Sequence, residues 1–522
     1  MVHLSTISHK RHHRKRDQHK HNNVNKNGTD NMVYSSSGVY GSRFAVDELP
    51  KNHLPDQEMP SNIAYKLISD ELALDSKPIL NLASFVTTYM EPEAEQLMTD
   101  SLNKNFIDYE EYPATCDLQN RCVAMIGHLF NVPENGEEEP MGVTTVGSSE
   151  AIMLAVLAMK KRWQNRRKEQ GKDYSRPNMV MGANVQVCWE KAARYFEIEE
   201  KYVFCTQTRY VLDPQEAVDL VDENTIGICV ILGSTYTGEY EDAQKVDQLL
   251  REKNEKMGYE CPIHIDAASG GFVAPFVNPD LVWDFRLPTV VSINASGHKY
   301  GLVYPGIGIS IWRSKECLPK ELIFNINYLG ADQASFTLNF SKGASNVIAL
   351  YYQLVRLGFS GYKAIMMNLT NDAIYLAEKL EASGCWEIMS ARGIEGLPLV
   401  AFRLKEKHYF DEYDVAKELR QRQWVVPAYT MAPNAKDLKM LRIVLREDFD
   451  KDQDVICSCR DLNASIERLS SLDKKQMEGV RELNNSREET SSHGRNPHHQ
   501  DKKGAKHGHS LQGKFGKSHN VC

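Results

Sequence analysis

Residues 293–305 read INASGHKYGLVYP, with Lys299 between a histidine and a glycine-flanked apolar run and no acidic residue in the segment. Such a lysine is either a solvated loop residue or a nucleophile. Burial disfavours its charged form, and an uncharged amine condenses with a carbonyl. Taken alone, the segment favours the loop. In TTVGSSEAIMLA, Gly147, Ser148 and Ser149 precede a strong helical run. The outward N–H groups of a helix start, together with its dipole, attract an anion. An ordinary cap uses the same residues, with Ser148 or Ser149 capping and Glu150 in the first turn. In HIDAASGGF an apolar strand ends on Asp266. Alternation sends His264 and Asp266 to one face and Ile263 and Ile265 to the other. An acid at the carboxyl end of an inner strand lies where open α/β sheets bind ligands, and it can equally cap the next element.

The order is therefore anion cup, strand with acid, strand with lysine. Pyridoxal phosphate asks for these three: a helix N-terminus for its phosphate, a carboxylate for its ring nitrogen, and a lysine for its aldehyde. Their joint, ordered occurrence weighs more than any one of them.

The elements that must position these residues follow from periodicity. AIMLAVLAMKKRWQNRRKE predicts a helix that turns basic at its end, and IGICVIL, CPIHIDAA and TVVSINAS predict strands. IGICVIL is apolar on both faces, as a central parallel strand requires. Over residues 80–369 this alternation predicts an α/β domain with a mostly parallel sheet. Residues 370–470 change character. The helix TNDAIYLAEKLEASG, with Gly384 as its C-cap, precedes LPLVAFRLK, a helix around DVAKELRQR, and the strands WVVPAYTM and MLRIVLRE. A small α+β domain is expected there. Residues 1–79 begin as a basic, His-rich head and become helical at NIAYKLISDELALD, whose apolar residues must pack on something, such as a second subunit. Residues 471–522 read as a polar, disordered tail.

Composition bounds the rest. The 522 residues exceed one ordinary domain, and the net charge of −8 gives the chain no general affinity for nucleic acid. No apolar run is long enough to cross a membrane, and the basic N-terminus lacks the apolar core of a secretory signal. The 11 scattered cysteines, several in apolar runs, fit a reducing, cytoplasmic setting. Cys457 and Cys459 form a CxC with no second ligand pair nearby, so no metal site is expected. Six of the 17 histidines lie in the first 21 residues and six from His493 onward, in sequence that cannot build a core.

The segments VGSSEA, ANVQVCWEK, HIDAASGGF, WDFRLP, SGHKYGLVYPG and LNFSKG together resemble the glutamate decarboxylases, a group of pyridoxal-phosphate enzymes with the aspartate-aminotransferase fold, fold type I. The likeness runs from about Asn81 to about Phe449, and GHKYGLVY with NYLGADQ resembles the plant branch most. The resemblance implies that Lys299 holds the cofactor's aldehyde, that Asp266 faces its ring nitrogen and that Gln186 lies over the ring. Ser148, Ser149 and His298 are implied as phosphate ligands, with Ser341 supplied by a neighbouring subunit. Thr235 and Ser296 match positions near the ring. Arg442 of MLRIVLRE matches the arginine for the substrate α-carboxylate, a task its planar fork suits. Ser84 and Phe85 of NLASF, with Asp108 from the partner subunit, match the side-chain pocket. Tyr328 of INYLGADQ resembles the loop tyrosine proposed to protonate the substrate carbon, and it can equally be a buried packing residue.

The implied reaction is α-decarboxylation of L-glutamate to 4-aminobutanoate and CO₂, in an assembly of at least a homodimer, with a hexamer expected from the resemblance alone. Plant relatives often end in a calmodulin-binding helix. Here the tail KKGAKHGHSLQGKFGKSHNVC has helix-opposing glycines and Phe515 as its sole aromatic, so calmodulin binding is doubtful. The alternatives are a decarboxylase of another amino acid and an inactive interaction protein. Gln186 with Arg442 and Asp108 argues against the first, and the intact Lys299, Asp266 and Ser148 set against the second.

Overall fold

A computed structural model describes residues 50–56, 58–133, 140–326, 333–449 and 454–482 of the chain. The residues up to Asp75 and those from Ser76 onward form separate compact units. In the first, the expected amphipathic segment is the helix Ser61–Leu72, with an ion pair between Lys66 and Asp70 one turn apart and with Tyr65, Ile68 and Leu72 exposed.

The second unit is built on a seven-stranded sheet. Its strands are β1 (Met141–Thr145), β2 (Asn178–Gly182), β3 (Glu199–Val203), β4 (Thr225–Ile231), β5 (Ile263–Asp266), β6 (Val290–Ser296) and β7 (Gly308–Trp312), arranged in the order β1-β7-β6-β5-β4-β2-β3. Only β7 runs against its neighbours; β2 through β6 pair in parallel. Every residue of β4, β5 and β6 is buried, as expected of inner strands covered on both faces. The three predicted strands are therefore present and adjacent. The register aligns Ile231 with Asp266, Asp266 with Asn294, and Asn294 with Ser310. One buried apolar cluster includes Ile152, Met159, Trp163, Trp189 and Cys229, and a larger one contains Ile263, Ile265, Ile293 and Leu350.

The expected basic-ended helix is Ser148–Glu169, and a short two-stranded hairpin pairs β8 (Phe324–Ile326) with β9 (Gln333–Ser335). The helical run Ser345–Ala382 is broken at Gly358, whose φ of 56° and ψ of −174° are open to glycine alone. The domain boundary expected at 370 falls inside this run. Gly384, in a left-handed conformation, follows the helix end as the sequence suggests. Beyond it, β10 (Trp386–Ile388), β11 (Leu399–Leu404), β12 (Ala428–Thr430) and β13 (Lys439–Val444) form an antiparallel sheet in the order β10-β11-β13-β12. The helices Glu412–Arg420 and Ile456–Ser471 accompany it, giving the expected α+β unit. Among the described residues no helix is long and apolar enough to cross a membrane, and no cluster of metal ligands occurs.

Candidate active site

The segment Asn81–Thr88 ties the two sheets together. Leu82 donates its N–H to the Val425 carbonyl and accepts from the Val444 N–H, joining the C-terminal sheet. Five residues later Thr87 donates its N–H to the His298 carbonyl and its hydroxyl to the Lys299 carbonyl. Ser84 and Phe85 are thereby held between β13 and the turn after β6. The Phe85 ring lies 5.4 Å from Lys299 Nζ and 4.7 Å from Arg442 Cζ. Residues far apart in sequence thus meet around one aromatic side chain.

Lys299 follows β6 and is half-buried, with Nζ donating to Ser269 Oγ at 3.2 Å. It is not the solvated loop residue that its local sequence allowed. Asp266 is buried at the end of β5. Its carboxylate accepts from Trp189 Nε1 at 2.8 Å, Asn294 Nδ2 at 3.0 Å and the Ala268 N–H at 3.1 Å. Trp189 lies three residues after Gln186, which caps the helix Val187–Tyr195 by accepting from the Cys188 N–H. The same first turn therefore carries Gln186 and a donor to Asp266.

At the anion cup the N-cap is Gly147, so Ser148 and Ser149 occupy the first two helical positions and do not cap. Gly147 has φ 120°, and a Cβ there would lie 3.1 Å from His298 Cε1. Gly308 approaches the Gly147 backbone closely enough that its own Cβ would lie 2.4 Å from it. His298 Nδ1 accepts the Ile307 N–H at 3.3 Å, which leaves a proton on Nε2. Burial, and then the neighbouring Lys299 charge, push its pKa down to about 4. His298 is thus a neutral N–H donor beside the cup.

Arg442 is fully buried on β13. Its guanidinium donates to the Ala83 carbonyl at 2.7 Å and to the Thr235 carbonyl, and it lies over the Phe85 and Tyr429 rings. Thr235 is thereby placed against Arg442.

Asp108 and Ser341 form a separate group. Their segments bond to each other: the Phe106 N–H to the Lys342 carbonyl, the Lys342 N–H to Asn105 Oδ1, and the Ala344 N–H to the Lys104 carbonyl. Ser341 is exposed, and Asp108 is half-exposed, accepting from the Glu111 N–H. Buried Glu150 links this region to the cup, accepting from the Val146, Leu338 and Asn339 N–H groups at 2.8, 2.8 and 3.1 Å. Tyr328 lies outside the described residues.

Sequence reasoning did not single out Trp189, Asn294 or the docking role of Glu150. Strand alternation places Asn294 on the face of Ser292 and Ser296, but only the β5–β6 register shows that Asp266 lies opposite it.

The residues fit pyridoxal phosphate on features of their own. Ser296 Oγ is buried at the end of β6 with no hydrogen-bond partner among the described residues, three residues before Lys299. The glycines let the walls of the cup close up: a Cβ on Gly308 would meet the Gly147 backbone, and one on Gly147 would crowd His298. A carboxylate, a lysine and an anion cup gathered at the carboxyl ends of a mostly parallel sheet with one reversed strand place the chain in the fold-type-I class of pyridoxal-phosphate enzymes. Within that class it belongs to the pyridoxal-dependent decarboxylases, whose conserved-domain model matches residues 55–405.

The chain is 58% identical to the glutamate decarboxylase of Petunia hybrida over 417 residues, which are 80% of this chain and 83% of the relative. Glutamate decarboxylase 1 of Arabidopsis thaliana matches with the same identity and coverage. Among solved structures, the glutamate decarboxylase of Lactobacillus brevis shares the fold with a TM-score of 0.78 at 42% identity, over 82% of this chain and 96% of that one.

Proposed function

We propose that this chain carries out pyridoxal-phosphate-dependent α-decarboxylation of L-glutamate, releasing CO₂ and 4-aminobutanoate. One observation carries the reading: the Phe85 ring lies within 5.4 Å of Lys299 Nζ and 4.7 Å of Arg442 Cζ. An amine for the cofactor and a guanidinium for a carboxylate thus share one wall. The similarity to glutamate decarboxylases supports the choice of substrate.

The bound cofactor supplies an electron sink for the pair left when the carboxylate departs. The protein's own residues do the rest. Lys299 would hold the cofactor through its aldehyde carbon. Asp266, its position fixed by Trp189, Asn294 and Ala268, would hold the ring nitrogen without reorganising as charge arrives. Ser148, Ser149, His298 and the partner subunit's Ser341 hold the phosphate. Gln186 would cover the ring, and Thr235 and Ser296 would line it. Arg442 orients the α-carboxylate. Ser84, Phe85 and the partner subunit's Asp108 receive the side-chain carboxyl. Tyr328 delivers the proton to the substrate carbon.

The exposed Ser341 and the half-exposed Asp108 support a functional unit of at least a homodimer, and a hexamer fits the family resemblance. The exposed apolar residues of Ser61–Leu72 suit contact with another copy. A cytoplasmic location fits the ten free cysteines among the described residues. Calmodulin binding remains doubtful on the composition of the tail, which lies outside the described residues.

Product analysis with glutamate from acidic to neutral pH, beside a panel of aromatic and sulfinate amino acids, tests the proposal. Release of 4-aminobutanoate and CO₂ from glutamate alone is expected. Turnover of another substrate in its place would overturn it. Borohydride should fix the cofactor on Lys299.

A further inference from the structure

Beneath Asp266 lies a chain of buried polar side chains to which the reaction described above assigns no role. Asn294 Nδ2 meets Asp266 Oδ1 at 3.0 Å, Asn294 Oδ1 meets His264 Nε2 at 2.7 Å, and His264 Nδ1 meets Ser292 Oγ at 2.7 Å. Ser292, His264 and Asn294 are completely buried.

The direction of every bond in this chain is fixed by one end. A carboxylate accepts only, so Asn294 must turn its amide N–H to Asp266 and its oxygen to His264. His264 must then carry its proton on Nε2, and Nδ1 must accept from the Ser292 hydroxyl. All three donors point the same way, from Ser292 through His264 and Asn294 to Asp266. Burial pushes the His264 pKa well below its ordinary value, outweighing the Asn294 bond and the Asp266 charge, so the ring stays neutral as this arrangement requires. The Trp189 ring stands edge-on to His264 at 5.3 Å while its Nε1 holds the other Asp266 oxygen. Asp266 is therefore gripped on both oxygens, and one grip depends on His264 holding Asn294 in a single amide orientation.

We propose that His264 is a positioning residue for the cofactor, acting through Asn294 to hold the Asp266 carboxylate toward the ring nitrogen. The proposal rests on the role given to Asp266 above. The strand register makes the arrangement possible: His264 and Asp266 alternate onto one face of β5, opposite Ser292 and Asn294 on β6. Residues that orient a primary ligand in this way typically change binding or activity by about 10- to 100-fold when removed.

The test uses the holoenzyme and its cofactor-free form. His264→Leu should raise the dissociation constant for pyridoxal phosphate by about 10-fold or more, move the absorption band of the bound cofactor, and lower kcat with little change in KM for glutamate. His264→Gln should recover most of the affinity and the band position, because its amide N–H can still donate to Asn294 Oδ1. The pair His264→Leu with Asn294→Leu should be no worse than Asn294→Leu alone, since both break one chain. If His264→Leu does not fold, Ser292→Ala keeps the ring and removes the donor to Nδ1; a few-fold weaker cofactor binding is expected of it. A His264→Leu variant with lowered Tm but unchanged cofactor affinity and spectrum would make the residue merely structural and overturn the proposal; so would unchanged binding in Ser292→Ala together with additive effects in the double variant. Asp266→Asn separates the two readings. If it leaves cofactor affinity and kcat intact, the role of Asp266 itself fails. If it is damaging while His264→Leu behaves as wild type, only the positioning role fails.

Discussion

The floor of the site and its rim are built on opposite plans. At the floor, Asp266, Asn294 and His264 come from neighbouring parallel strands, are buried, and satisfy one another at 2.7–3.0 Å. At the rim, Asp108 and Ser341 sit on short segments that bond mainly to each other and through Leu338 and Asn339 to Glu150. A sheet holds geometry to a fraction of an ångström because each strand is fixed by two neighbours. A rim segment has no such neighbours and takes its final contacts from elsewhere. The floor is therefore complete within one chain, and under the proposed function the rim is what a second chain would complete.

The sharpest break in this comparison is expected at the floor. Lys299→Ala should remove borohydride-fixable cofactor and lower kcat by about 10³-fold or more, roughly 4 kcal/mol of barrier. Mass analysis of the reduced protein checks the first effect and single-turnover assays the second. Arg442→Met comes next. It removes a buried guanidinium that donates to the carbonyls of Ala83 and Thr235 and, under the proposed function, binds the substrate carboxylate. A loss of about 10²-fold in kcat/KM is expected, or ~3 kcal/mol, with a lowered Tm because two buried acceptors lose their donor. An unchanged kcat/KM would detach Arg442 from substrate binding and leave it a strut between the two sheets.

The rim should behave differently if, as proposed, a partner subunit supplies it. Asp108→Asn alone should cost about 10-fold in kcat/KM for glutamate. When it is unfolded and refolded in equal mixture with Lys299→Ala, half the dimers pair one defect of each kind. One site in each such dimer is then intact, and activity should return to about a quarter of wild type. A mixture no more active than the average of its parents would place Asp108 in the site of its own chain.

The same contrast explains what could be read before the fold was known. Lys299, Asp266 and the Gly147–Ser149 cup stood out because the cofactor's chemistry demands those residue types in order. The strands β4, β5 and β6 stood out because inner parallel strands are apolar on both faces. Asn294 did not, because a buried asparagine announces nothing until the register sets it beside a carboxylate. The reversal of β7 was equally hidden, since GISIW carries no mark of direction. Nor did the alternation of helices and strands disclose the break at Gly358, where a single glycine conformation ends one helix and starts another within an unbroken helical pattern.

The last expected effect concerns the floor's surroundings and falls on stability, not on turnover. Glu241 is buried below the carboxyl end of β4 and accepts from the Ile231 N–H at 2.7 Å, Asn184 Nδ2 at 3.0 Å and the Leu212 N–H at 3.1 Å. Burial outweighs those three donors and pushes its pKa up to about 7 from 4.5. A carboxyl raised on folding binds more protons in the native than in the unfolded chain. The stability it contributes is full below about 4.5 and is lost as pH rises through about 7, by about 3 kcal/mol in all. His264 acts in the opposite sense, because its pKa is depressed on folding: the unfolded chain takes up the proton first as pH falls below 6.5. Between 4.5 and 6.5 the two slopes oppose each other, and the wild-type contribution from this pair should be nearly level. Glu241→Gln should lower Tm at every pH, because an amide N–H would face the donor Ile231 N–H. It should also expose the His264 slope, so that the variant gains stability relative to wild type as pH rises from 4.5 to 7. Thermal unfolding of both proteins across that range decides it. A constant difference in Tm would mean that Glu241 does not change its proton on folding, and that the three donors, not burial, govern the carboxyl.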